Sequence, residues 1–116
     1  MTRVNGEPFS WAIESRDSMV TLRLSGELDL AIVEASKDTL VDDVIRTQGS
    51  VVVDFSELEF IDSTGLRLLL DLKFKLDERG RTFALGATSP AVARVLDVSG
   101  IRSVLEKPDG SKAVRR

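Results

Sequence analysis

The chain has 116 residues, 42% apolar and 30% charged, with 19 acidic against 16 basic side chains and a formal net charge of -3. That is enough for one domain with its own core, and the acidic balance argues against direct nucleic-acid binding, which needs a basic patch to release phosphate counterions. Neither cysteine nor histidine is present, which excludes disulfides, thiol chemistry, the common zinc clusters, Ser-His or Cys-His nucleophile pairs and a histidine general base.

Residues Met1 to Glu7 lack the apolar centre of a signal peptide, and no uncharged apolar run approaches the roughly 20 residues of a membrane span. The expectation is a cytoplasmic protein without membrane insertion. Phe9, Trp11 and Ile13 alternate with Ser10, Ala12 and Glu14, and after Arg16-Asp17-Ser18 the residues Val20, Leu22 and Leu24 alternate with Thr21 and Arg23. This pattern predicts an antiparallel hairpin with Trp11 in the core and Gly26 serving the turn that follows. From about Leu30 to Gln48, Val33, Leu40, Val41, Val44 and Ile45 fall at helical spacing, and Gly49 is the stop. Val51-Val52-Val53-Asp54-Phe55 reads as a strand covered on both faces.

The stretch from Leu58 to Leu70 turns a buried strand directly into a helix, with Asp62-Ser63-Thr64-Gly65 at the junction. Open α/β sheets bind partners in the crevice beyond such strand ends. The helix is expected over Thr64 to Glu78, ending near Gly80, with Thr64, Arg67, Asp71, Lys75 and Glu78 on its polar face. A strand from Thr82 to Leu85 follows. Ser89-Pro90 then opens a third helix with inner face Val92, Val95 and Leu96 and a stop at Gly100. Ile101 to Leu105 reads as a last short strand, broken by Pro108-Asp109-Gly110, with residues 111–116 a stub of helix or a frayed tail. The order β-β-α-β-α-β-α-β predicts an α/β fold with a mixed, mainly parallel sheet and helices mostly on one face, in a single domain with its core at about 8–107 and a tail at 108–116.

Three segments resemble the STAS domain, and most closely the small anti-sigma factor antagonists of bacteria. They are Phe60-Ile61-Asp62-Ser63-Thr64-Gly65-Leu66, Leu24-Ser25-Gly26-Glu27-Leu28-Asp29, and Ser89-Pro90-Ala91-Val92 through Leu96-Asp97-Val98-Ser99-Gly100-Ile101. The resemblance runs over nearly the whole length and implies a partner-switching protein. Its unphosphorylated form binds an anti-sigma factor that is itself a serine kinase and so frees a sigma factor; phosphorylation ends the interaction and a serine phosphatase restores it. By position Ser63 matches the phosphorylated serine, with Asp29, Asp62, Thr64, Gly65 and Arg67 around it as partner-binding residues. Arg67 stands where many antagonists have glycine, and Leu30 to Glu34 depart from their commonest pattern. STAS domains also serve as scaffold parts of stress-signalling assemblies and as cytoplasmic subunits of lipid-transport complexes.

The residues admit plainer readings beside these. Asp62 or Ser63 caps the helix, Asp29 caps the first helix as well as or instead of meeting a partner, and Gly65 allows either a partner's approach or close helix–sheet packing. Arg67 and Asp71 form an i,i+4 pair. A phosphoryl group on Ser63 adds roughly -1.5 to -2 charge at the positive end of a helix, whose amides help to hold it, while Asp62 and Asp29 make the surface repulsive to a partner. No catalytic residue, metal site or cofactor is predicted, and no G-x-x-x-x-G-K-[ST] phosphate loop occurs.

Overall fold

The computed structural model describes residues 8–106, so the segments 1–7 and 107–116, including the expected tail, lie outside the described residues. Its elements are β1 (Phe9–Arg16), β2 (Met19–Leu28), α1 (Leu30–Ile45), β3 (Ser50–Ile61), α2 (Ser63–Glu78), β4 (Phe83–Thr88), α3 (Pro90–Ser99) and α4 (Ile101–Leu105). The sheet order is β1-β2-β3-β4, with β1–β2 antiparallel and both other pairs parallel. The expected mixed, mainly parallel sheet is present.

The hairpin closes through Asp17 and Ser18, both at positive φ (52° and 67°), the two-residue geometry whose twist matches that of its flanking strands. Trp11 is buried, and its Nε1 donates to Asp43 Oδ2 on α1 at 3.1 Å, tying β1 to the first helix. Gly26 lies inside β2 rather than in a turn after it. There the register with β3 shifts, Glu27 N donates to Pro8 O at 2.8 Å, and at φ 97° a Cβ would stand 2.1 Å from that oxygen. Only glycine fits a bulge pressed against another backbone.

Val51, Val53 and Phe55 of β3 are fully buried together with Val20, Leu22 and Leu24 of β2, whereas Thr21, Arg23, Val52 and Asp54 are half-buried. All four helices feed one core, through Val33, Leu72, Leu96 and Leu105 among others. The expectation that β3 is covered on both faces is therefore corrected: its opposite face is open enough to hold the Arg23–Asp54 ion pair at 3.1 Å.

The expected last strand, Ile101 to Leu105, is instead α4. Gly100 ends α3 in the left-handed conformation (φ 76°), and the chain turns at once into a new helical turn that buries Leu105 completely. Ile101 and Leu105 stand i,i+4, so a single helical turn carries both apolar side chains on one face.

Arg81 fastens the end of the fold opposite the strand–helix junctions. Its Nε donates to Gly49 O at 2.8 Å and its Nη2 to Thr47 Oγ1 at 2.9 Å, with Nη1 facing the Val44 and Ile45 carbonyls at the end of α1. These are the carbonyls that a helix terminus leaves without partners. Arg81→Lys keeps the charge but not the fork, and a loss of about 1 kcal/mol is expected. Urea denaturation checks this: the midpoint should fall at an unchanged slope, and an unmoved midpoint would show that the fork contributes nothing.

Candidate functional site

Leu28 and Ile61 are partners in the parallel β2–β3 register, and each is followed by an aspartate and then immediately by a helix. The two strand ends thus repeat one device side by side. Asp29 caps α1, its Oδ1 accepting from Ile32 N at 3.0 Å, and Asp62 caps α2, its Oδ1 accepting from Thr64 N at 3.0 Å and Gly65 N at 3.1 Å. The caps anticipated at Asp29 and Asp62 are both in place, and Ser63 is the first helical residue.

Asp62 does more than cap its own helix. Its Oδ2 accepts from Leu30 N, the first amide of α1, at 3.2 Å, and Thr64 Oγ1 donates to Oδ1. One carboxylate therefore joins two helix starts. Burial raises its pKa, but the donors outweigh that: the Thr64 hydroxyl and the Gly65, Leu30 and Thr64 amides together hold it below the ordinary aspartate value. A depressed folded-state pKa means stability that is present above the unfolded value, about 3.9, and lost as pH falls through the folded one. Asp62→Asn is accordingly expected to destabilise more at pH 7 than near pH 3. Denaturation curves at both pH values check it, and a pH-independent difference would contradict the assignment.

Ser63 is exposed, and no hydrogen bond links its Oγ to another described residue, while the neighbouring Thr64 hydroxyl is committed to Asp62. Gly65 is buried: a Cβ there would lie 2.7 Å from Ile61 Cγ1 and 2.8 Å from Leu28 O. Between the two readings of this glycine, the structure shows close helix–sheet packing. Arg67 is exposed one turn beyond Ser63. The anticipated Arg67–Asp71 pair is not formed; Asp71 instead pairs with Lys37 of α1 at 2.8 Å, because the packing of the two helices brings that ammonium closer. Asp29, Asp62, Ser63, Thr64, Gly65 and Arg67 thus gather at the β2 and β3 ends and the starts of α1 and α2.

Leu30 and Phe60 were not anticipated as part of this surface. They are 51% and 47% exposed, Leu30 bonded through its amide to Asp62 and Phe60 two residues before it. Their signal in the sequence was a large apolar residue immediately beside each capping aspartate segment. Among the described residues no group of three or more acidic side chains is placed to hold a metal ion, and no helix is long and apolar enough to cross a membrane.

A four-stranded mixed sheet that ends two adjacent parallel strands in aspartate-capped helices, the second opening on a free serine, defines a small α/β module of the STAS type. The chain belongs to the STAS domain family: the family model described as "Mlab, STAS domain" matches residues 11–106. It is similar to the anti-sigma F factor antagonist of Paenibacillus polymyxa, 29% identical over 94 residues that cover 80% of each chain. Among solved structures it is similar to an anti-sigma factor antagonist from Mycobacterium paratuberculosis, at 26% identity and a TM-score of 0.73 over 93% of this chain and 95% of that one. It is also similar to the Bacillus cell fate determinant SpoIIAA in its phosphorylated form, at 26% identity and a TM-score of 0.58 over 92% and 98%.

Proposed function

We propose that the protein is a cytoplasmic anti-sigma factor antagonist of a bacterial partner-switching pathway. In its unphosphorylated form it binds an anti-sigma factor serine kinase and frees a sigma factor. The kinase transfers the γ-phosphoryl group of ATP to Ser63 Oγ, ADP leaves, the hydroxyl proton is lost, and binding ends until a serine phosphatase hydrolyses the ester. The observation that carries this reading is the contrast between two adjacent hydroxyls: Ser63 exposed at the first position of α2, Thr64 tied to Asp62.

The capping geometry refines how a phosphate would act. Thr64 N and Gly65 N already donate to Asp62, and Leu66 N donates to Asp62 O at 3.0 Å. A phosphate on Ser63 does not take these amides without displacing a well-held carboxylate. It therefore points outward, favoured by the helix dipole but held by few donors, and alters the contact surface rather than the fold. That a protein of similar fold, the Bacillus cell fate determinant SpoIIAA, has a phosphorylated form supports phosphorylation as the switch.

Incubation with the cognate kinase and ATP, followed by mass spectrometric mapping, tests the acceptor. Modification is expected at Ser63. Modification at Thr64, Ser56 or Ser89 with Ser63 untouched would sink the assignment, and stable capture in a large scaffold or lipid-transport assembly without a kinase would favour the other STAS roles.

A further inference from the structure

Six large apolar side chains stand exposed among the described residues, and two of them, Leu30 and Phe60, flank Asp62 and Ser63. Leu30 opens α1 with its amide on Asp62, and Phe60 faces Glu27 across the β2–β3 register. Neither position contributes its exposed surface to the core. The charge around them is predominantly acidic: residues 25–36 and 55–66 contain Glu27, Asp29, Glu34, Glu57, Glu59 and Asp62 and no lysine or arginine, and Arg67 is the cation that stands with them on the same surface.

We propose that Leu30 and Phe60 are the apolar anchors of partner docking, and that the occupant is a protein surface with an apolar pocket ringed by lysine and arginine. This rests on the reading of the Ser63 surface as the partner-binding face. Charge selects the occupant. A nucleic acid or an anionic lipid surface meets a field of its own sign, and a second copy of this chain brings the same acidic rim. A basic protein surface gains from the rim during approach and from the two anchors on contact.

The sign of the rim also bears on regulation. A phosphate on Ser63 adds negative charge to a surface that already attracts its partner, so it does not act by repulsion at long range. It acts at contact, where a dianion must lose its water against the apolar pocket. On this inference phosphorylation speeds dissociation and leaves association intact.

Biosensor kinetics against the anti-sigma kinase of the same organism test the inference, at about 50 mM and about 500 mM salt. The association rate should fall about tenfold between the two, and a Glu27→Gln, Glu59→Gln double variant should flatten that dependence. Phe60→Ser and Leu30→Ser should each raise the dissociation rate about tenfold with unchanged thermal melts. Salt-insensitive association, or serine variants that dissociate like wild type, would overturn the docking inference while leaving the antagonist reading intact. Failure of the wild-type protein to bind the kinase at all would remove both, and self-association through Phe60, seen by sedimentation and lost in Phe60→Ser, would assign the anchors to a dimer instead.

Discussion

Phosphorylation of Ser63, or its replacement by glutamate, is expected to lower affinity for the kinase by orders of magnitude while leaving the fold standing. Ser63 is exposed at the first position of α2, where an acidic group suits the helix dipole, so stability should change by no more than about 1 kcal/mol, a few degrees of melting temperature. Binding answers to a different balance. If Leu30 and Phe60 anchor the partner as proposed, the new charge beside them is dehydrated in the contact, and an unpaired charge in that position costs several kcal/mol. Glutamate carries one charge against nearly two for phosphate, so the variant should fall between the unmodified and phosphorylated forms. Ser63→Ala should bind and resist inactivation. Melts and calorimetric titrations of the four forms side by side decide the matter: if the phosphorylated protein binds as tightly as the unmodified one, charge at Ser63 is not the switch.

Gly65→Val should remove binding by another route. Helix propensity alone would favour most residues over glycine here by up to about 1 kcal/mol. The space forbids it: the first carbon would stand 2.8 Å from Leu28 O, a backbone atom that cannot rotate away, and 2.7 Å from Ile61 Cγ1. The start of α2 must lift from the sheet, which strains the Asp62 bonds to Thr64 and Gly65 and to Leu30 across the gap. A loss of roughly 3 kcal/mol is expected, with Gly65→Ala milder. Urea denaturation measures it, and a variant as stable as wild type would show that the contact yields without strain.

Much of this architecture is legible in the residues because local signals agree with tertiary ones. Ser89 before Pro90, Gly100 after Ser99 and the alternation of Val20, Leu22 and Leu24 each demand the element that forms. The failures come where two signals compete. Ile101 to Leu105 fits a short strand or one helical turn equally well by apolar content, and the structure takes the helix. The second half of β3 is obscured because register shifts near Asp54 and Phe60 break the alternation that marks a strand. Asp71 has Arg67 four residues before it, yet Lys37 wins through helix packing that no local spacing encodes.

At the site, the capping aspartates and the serine are readable from their positions before apolar periodicity. The reach of Asp62 to Leu30 is not, since it joins residues 32 apart in the chain. Its faint trace is the repeated ending Leu28-Asp29 and Ile61-Asp62, which becomes meaningful once the two strands are known to lie side by side.

The passage from β3 to α2 through Asp62 alone leaves Ser63 without a loop to move on. Substrates of many protein kinases are slack segments that the enzyme straightens in its own groove. This serine offers no slack, so under the proposed function a kinase has to accept it on a shaped surface assembled from two strands and two helices. With Ser63 as the acceptor, a chain that has lost its fold is invisible to its regulator: it neither captures the kinase nor consumes its ATP. On the proposed function the modification state of the cellular pool would therefore count only copies competent to signal, and damage to the protein would be silent rather than mistaken for a message.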